Sequence, residues 1–254
     1  MRMKLALITG ASAGIGAATA AELAGLGYSL LLVARRKERL SILQDQLQTS
    51  YPNLQVWTES LDITNHGAVV DFFKKYEPQL KSLELLLNNA GLAKGADKVQ
   101  DGLWADWDVM IETNVKGLLS VTRQALPFLL ANKKGHIVNI GSVAGRWIYP
   151  GGAVYCASKF AVRALTEGLR MDLLGKNIRV TNIEPGMVHT EFSRVRFSDQ
   201  TKADQVYAGM KPLTAADIAE TIAWVVSRPS HVNIQELVIY PTDQASVRDV
   251  SRTE

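Results

Sequence analysis

Residues Thr9–Gly16 read TGASAGIG, directly after the apolar run Leu5–Ile8 and at the head of the Ala-rich stretch Ile15–Leu26. The short apolar run predicts a strand and the longer stretch, closed by Gly27, a helix. Gly10, Gly14 and Gly16 therefore lie in a tight strand-to-helix turn. Glycine lets the backbone turn sharply and approach a pyrophosphate with no Cβ in the way. The free N–H groups and positive dipole end of the following helix favour an anion there. The spacing is TGxxxGxG rather than GxGxxG, and alone it suits a nucleotide cradle and a merely tight turn equally.

The same alternation continues outward. Strands are expected at Tyr28–Ala34, Leu54–Ser60, Leu83–Asn88, His136–Ser142, Ile178–Glu184 and Glu236–Tyr240. Helices are expected at Lys37–Gln48, at Asn65–Tyr76 with a stop near Pro78, and from about Trp104 to Leu130. Two more follow at Ala153–Leu174 and Thr214–Ser227. Apolar runs of this kind predict an α/β fold: a mostly parallel, doubly wound sheet with helices on both faces. Ligands of such sheets bind outside the carboxyl ends of the strands.

Composition narrows the function classes. The chain has 254 residues, 47% hydrophobic and 21% charged, and a formal net charge of +3. That charge is no nucleic-acid footprint, and Lys133-Lys134 reads as a solvated loop. No apolar run approaches the roughly 18 residues of a membrane span. The apolar stretch within Met1–Ile8 is too short for a signal-peptide core. The single cysteine, Cys156, excludes an internal disulfide and a CxxC zinc site, and suits a reducing compartment such as the cytoplasm. His66, His136, His189 and His231 show no metal-ligand spacing, so no metal is expected.

The second strand sharpens the reading of the glycine turn. In an NAD site a carboxylate about 20 residues on holds the ribose 2′-hydroxyl. Here Arg35 stands 19 residues after Gly16, followed by Arg36, and no carboxylate occurs at that edge. Guanidinium groups match a 2′-phosphate, so NADP(H) is the expected cofactor; the plain alternative is a charged, solvated helix start. Farther on, Asn88–Gly91 (NNAG) ends the fourth strand and Ser142 the fifth. Tyr155 and Lys159, in YCASK, are i and i+4 and share a helix face. An ammonium beside a phenol favours the phenolate and lowers its pKa. Ser142 suits holding a reacting oxygen.

These motifs together resemble the short-chain dehydrogenase/reductase family, over nearly the whole chain. TGASAGIG, NNAG, Asn114, Ser142, YCASK and Pro185-Gly186 fall in that family's order and spacing. The resemblance implies a single Rossmann-like domain of about seven strands over residues 1–254. It implies a catalytic tetrad of Asn114, Ser142, Tyr155 and Lys159, with Tyr155 as general acid/base. Ser142 then positions the substrate, Lys159 tunes Tyr155 and holds the nicotinamide ribose, and Asn114 locally breaks its helix to bind a relay water. Ser12 and Ile15 join the glycines at the cofactor. Asp62 and Ile63 meet the adenine, Asn89, Ala90 and Gly91 pass beneath the ribose, and Val188 and Thr190 hold the carboxamide side. A homotetramer packed through the long helices containing Asn114 and Tyr155 is also implied.

The segments EPGMVHTEFSRVRF, KADQVY and PTDQAS are similar to the branch acting on 3-hydroxy acids such as serine, allo-threonine, 3-hydroxypropionate and 3-hydroxyisobutyrate. Residues 187–212 are expected to form a substrate-covering loop. The tail, residues 241–254, is expected to cross to a neighbouring subunit or to fray. A carboxylate substrate needs a cationic or multi-donor partner. Arg146 is the first candidate and Arg194 the second; the alternative for each is a surface position or an internal ion pair. Rival functions are a broad NADPH-dependent reductase of dicarbonyls, sugars or keto esters, and a catalytically silent NADPH-binding sensor.

Overall fold

Every residue of the first strand, β1 (Leu5–Thr9), is buried in the computed structural model, which describes residues 3–253. Ala6 and Ile8 join one apolar layer, Leu5 and Leu7 the other, because successive side chains of a strand point to opposite faces. A strand with no exposed face needs helices on both sides, and the chain supplies them by alternation. After β1 come α1 (Gly14–Gly25), β2 (Ser29–Ala34), α2 (Lys37–Ser50), β3 (Val56–Ser60), α3 (His66–Lys75), the single turn α4 (Glu77–Leu80) and β4 (Leu83–Asn88). Next are α5 (Trp104–Ile111), α6 (Leu118–Asn132), β5 (Gly135–Ile140), α7 (Ala153–Asp172) and β6 (Ile178–Pro185). The chain continues through β7 (Val188–His189), α8 (Phe192–Phe197), α9 (Gln200–Tyr207), β8 (Leu213–Thr214), α10 (Ala215–Val226) and β9 (Glu236–Ile239).

The main sheet has seven strands in the order β3-β2-β1-β4-β5-β6-β9, all parallel. Chain direction across the sheet reverses between β1 and β4, and a crevice opens there at the carboxyl ends. One apolar layer includes residues of α1, α2 and α10, the other residues of α3 and α6. Buried amides fasten the middle. Asn88 Nδ2 donates to Thr122 Oγ1 at 2.9 Å and to Asn139 Oδ1 at 2.8 Å, and Asn139 Nδ2 donates to Thr166 Oγ1 at 2.8 Å. Asn88, first residue of NNAG, thus serves the sheet rather than the crevice.

The observed elements refine the linear reading in two places, the helix from Trp104 and the stretch 187–212. The helix from Trp104 to Leu130 is interrupted by a wide π turn over Glu112–Gly117 between α5 and α6. The helix α3 ends just before Pro78, as expected, and the chain makes one further turn as α4, with Pro78 in its first turn, where a missing N–H is harmless. The stretch 187–212 is not a plain loop: it holds β7, α8 and α9, which are too short to show a period in sequence. The tail, described through Thr253, is hydrogen-bonded to the segment after β6 of its own chain. Met187 N donates to Gln244 Oε1, Lys211 N to Asp243 Oδ2 and Thr253 N to Gly209 O, at 2.7–2.8 Å. Met1, Arg2 and Glu254, at the ends of the expected 1–254 domain, lie outside the described residues. Among those described, no helix is long and apolar enough to cross a membrane.

Candidate active site

The glycine turn and the end of β4 are pressed together. Gly10 and Gly14 take positive φ values of 65° and 55°, a region glycine enters without a Cβ penalty. A Cβ on Gly10 lies 2.8 Å from Ala90 Cα, so the two strand ends touch backbone to backbone. Thr9 Oγ1 accepts from the N–H groups of Asn89 and Ala90, each at 3.0 Å. Asn89 Nδ2 donates back to Thr9 O at 2.9 Å and Gly10 O at 3.1 Å. This clamp sets one wall of a crevice of about 640 Å³.

All the cofactor positions expected from the sequence line that crevice except Gly16. A Cβ on Gly16 lies 2.5 Å from Asn89 Nδ2 and 2.6 Å from Gly10 O, so this glycine lets α1 pack on the turn. Arg35 and Arg36 flank the crevice at the end of β2. Arg36 Nε donates to Ser12 Oγ at 3.2 Å. A glycine-rich turn with two guanidinium groups beside it is a donor set that fits the phosphates of a dinucleotide, the 2′-phosphate included.

Tyr155 and Lys159 lie on one face of α7 and are both buried. Lys159 Nζ donates to Ile140 O at 2.8 Å and stands 6.0 Å from the centre of the Tyr155 ring. Burial pushes the Lys159 ammonium down to about 8. Burial also pushes the Tyr155 phenol well above its ordinary value; the neighbouring Tyr149 adds to this, while Ser142 and the Arg196 charge pull it down. The ammonium expected to lower that pKa stands beside the ring, and desolvation acts in the opposite sense. Ser142 lies two residues beyond β5 and accepts from Ala144 N at 3.1 Å, as the cap of a short turn. Asn114 sits in the π turn and does not line the crevice. Its side chain accepts from Leu92 N at 2.9 Å and donates to Leu92 O at 2.8 Å and Ser158 Oγ at 3.0 Å. The local helix break expected there is present, and the Asn114 side chain ties the segment after β4 to α7.

Neither arginine expected at a substrate carboxylate lines the crevice. Arg146 is held by Glu184, which is fully buried, and by Glu236. Arg194 is half exposed and donates to Glu191 at 2.9 Å. The guanidinium facing the crevice belongs to Arg196. Its Nε donates to Gly95 O at 2.9 Å, and its Nη1 to Tyr149 Oη at 2.8 Å. It lies 5.8 Å from the Tyr155 ring centre. Every partner of Arg196 among the described residues is uncharged. Residues 194 and 196 are two apart on α8, so they face different ways; reading the run as a helix was the missing signal. Phe192 packs on Tyr155 with ring centres 5.7 Å apart, and Tyr207 closes the same end.

Replacing Arg146 by Ala is expected to lower stability by about 3 kcal/mol, because Glu184 is left buried with Asn182 donating to it and Arg163, 3.9 Å away, as its remaining cation. The midpoint of urea unfolding reads this loss, and the Michaelis constant for an anionic substrate is expected to stay unchanged. Among the described residues, no group of three or more His, Cys, Asp or Glu side chains is placed to hold a metal ion. His66 pairs with Ser120 and His136 with Thr181, both at 2.8 Å, and His189 stacks edge-on against Tyr207.

Comparison with known proteins places this geometry. The chain is 44% identical to sulfoacetaldehyde reductase 2 of Chromohalobacter salexigens, over 95% of each chain. It is 42% identical to the NADP-dependent 3-hydroxy acid dehydrogenase YdfG of Salmonella typhi, over 95% of this chain and 96% of that one. The closed form of a serine dehydrogenase complexed with NADP+ superposes with a TM-score of 0.90 at 40% identity, over 95% of this chain and 96% of the other. The family model for short chain dehydrogenases matches residues 4–201. With the glycine turn, Ser142, Tyr155 and Lys159 gathered at one sheet edge and that model spanning most of the sequence, the chain belongs to the short-chain dehydrogenase family.

Proposed function

We propose that this protein is an NADP-dependent oxidoreductase acting on short hydroxy acids or aldehydes whose reacting carbon is separated by one carbon from an anionic head group. The observation that carries this reading is Arg196, a guanidinium with only uncharged partners, beside Tyr155 in the crevice. The names of the relatives agree on one chemical pattern. A 3-hydroxy acid carries its hydroxyl carbon one carbon away from the carboxylate. Sulfoacetaldehyde carries its aldehyde carbon one methylene from a sulfonate. A single planar fork serves either anion. Serine, allo-threonine, 3-hydroxypropionate and 3-hydroxyisobutyrate share the spacing.

The bound cofactor supplies or accepts the hydride. The chain's own residues do the rest. Tyr155 Oη gives its proton to the substrate oxygen in reduction and takes it back in oxidation. A phenol is protonated at neutral pH and burial raises its pKa further, the sense that suits the acid of carbonyl reduction. Ser142 Oγ holds the same oxygen. Lys159, fixed by Ile140 O, holds the nicotinamide ribose. Asn114 continues the proton path to water. Residues 187–212, with Phe192 and Tyr207, cover the substrate and exclude water. Four copies pack through α5, α6 and α7, where Leu119, Leu130 and Phe160 stand exposed.

The test is initial-rate measurement with NADP+ and NAD+ over L-serine, D-serine, L-allo-threonine, 3-hydroxypropionate and 2-propanol, and with NADPH over sulfoacetaldehyde and neutral diketones. Turnover of the anionic substrates with NADP(H) is expected. Turnover of neutral carbonyls alone overturns the substrate class in favour of a broad carbonyl reductase, and preference for NAD+ overturns the cofactor.

A further inference from the structure

Glu191 stands at the joint between β7 and α8 and lines the crevice. Its Oε2 accepts from Arg36 Nη1 at 2.7 Å. Its Oε1 accepts from Arg39 Nη1 at 2.7 Å and from Arg194 Nη2 at 2.9 Å. Arg36 and Arg39 come from the far wall of the crevice, at the start of α2, and more than 150 residues separate them from Glu191. The contact is seated by its neighbour: a Cβ built on Gly14 comes 3.4 Å from the Thr190 side chain. One carboxylate thus bridges the nucleotide half to the segment that carries Phe192 and Arg196. Arg35, beside it, has no side-chain partner among the described residues.

The chemistry of that bridge is competitive. Arg36 is the guanidinium positioned for a 2′-phosphate, and its fork faces a carboxylate already. A second anion on the same N–H groups must displace the first. Hydrogen bonds from Arg36 and Arg39 hold Glu191 down to about 2, so the carboxylate is charged across the working pH range. Three guanidinium groups against one carboxylate leave the cluster cationic and still attractive to a phosphate.

We propose that Glu191 is an internal competitor for the 2′-phosphate of NADP(H), and that the phosphate, by taking Arg36, releases the joint carrying α8. NAD(H), with a neutral 2′-hydroxyl, leaves the joint in place. The proposal rests on the reading of Arg35 and Arg36 as the 2′-phosphate site. Glu191 then lowers affinity for the phosphorylated cofactor and couples occupancy of the nucleotide half to the position of the substrate-covering segment.

The experiment is calorimetric titration of the full chain and of Glu191→Gln with adenosine 2′,5′-bisphosphate and, in parallel, with 5′-AMP. The unmodified protein is expected to prefer the bisphosphate. Glu191→Gln is expected to bind the bisphosphate about fivefold more tightly, the scale of freeing Arg36 and Arg39 from partly exposed ion pairs, and 5′-AMP unchanged. Equal or weaker bisphosphate binding by Glu191→Gln, with the preference over 5′-AMP intact, overturns the competitor while the phosphate site stands. Loss of the preference in the unmodified protein overturns the phosphate site and the competitor together. Amide hydrogen exchange over residues 192–197 gives an independent readout. Exchange is expected to rise with the bisphosphate and not with 5′-AMP; no rise overturns the release of the joint.

Discussion

Tyr155→Phe is expected to lower kcat by about three orders of magnitude, within the range that positioned proton transfer contributes. The change removes one oxygen and keeps the ring. Packing on Phe192 is retained, so the fold and the crevice should be undisturbed. Binding of NADPH, followed by its fluorescence, is expected to be unchanged, because the contacts of the nucleotide half lie at the glycine turn and β2. The pairing of lost turnover with intact binding separates a proton-transfer role from a structural one. A variant that turns over at the parent rate removes Tyr155 from the chemistry and with it the proposed mechanism.

Arg196→Met is expected to raise KM for anionic substrates by about a hundredfold, the worth of one charge-assisted hydrogen-bonded pair of roughly 2–3 kcal/mol. Neutral diketones should lose little by comparison, since they present no anion to the fork. Met keeps much of the apolar stem against Tyr149 and Phe197. Arg196→Lys keeps the charge but loses the planar fork, and an intermediate KM is expected. The ratio of kcat/KM for 3-hydroxypropionate to that for a neutral ketone reads the effect free of any general loss of activity. An unchanged ratio in Arg196→Met overturns the anion-binding role.

The two positions differ in how visible they are in the primary structure. Tyr155 and Lys159 are four apart within one helix, and Gly10, Gly14 and Gly16 lie within one turn. Local patterns of that kind depend on backbone geometry over a few residues, and so the strand runs, the glycine turn and the YCASK pair are readable in a linear string. The fully apolar interiors of Leu30–Val33 and Leu85–Leu87 likewise announce a sheet covered on both faces. Short elements escape this reading. The helix α8 is six residues long and offers less than two turns of period, so its arginines could not be sorted by face.

Charge pairing is less visible still. Arg146 follows Ser142 closely and looked like the anion binder, but its carboxylate partners stand 38 and 90 residues away, on β6 and β9. The depth at which Tyr155 is buried, which raises its pKa, is likewise not readable from the lysine one helical turn along. Periodicity and turn chemistry therefore sufficed for the sheet, its carboxyl edge, the glycine turn and the Tyr155–Lys159 pair, since each obeys a rule acting over a handful of neighbours, while the other residues of that edge came from the family resemblance. The choice of Arg196 over Arg146 and Arg194, the grip of Glu191 on Arg36, and the folding of the tail onto residues 187–211 came from the packed chain alone. Ion pairs and desolvation depend on distance through space, which is set only once strands far apart in sequence lie side by side.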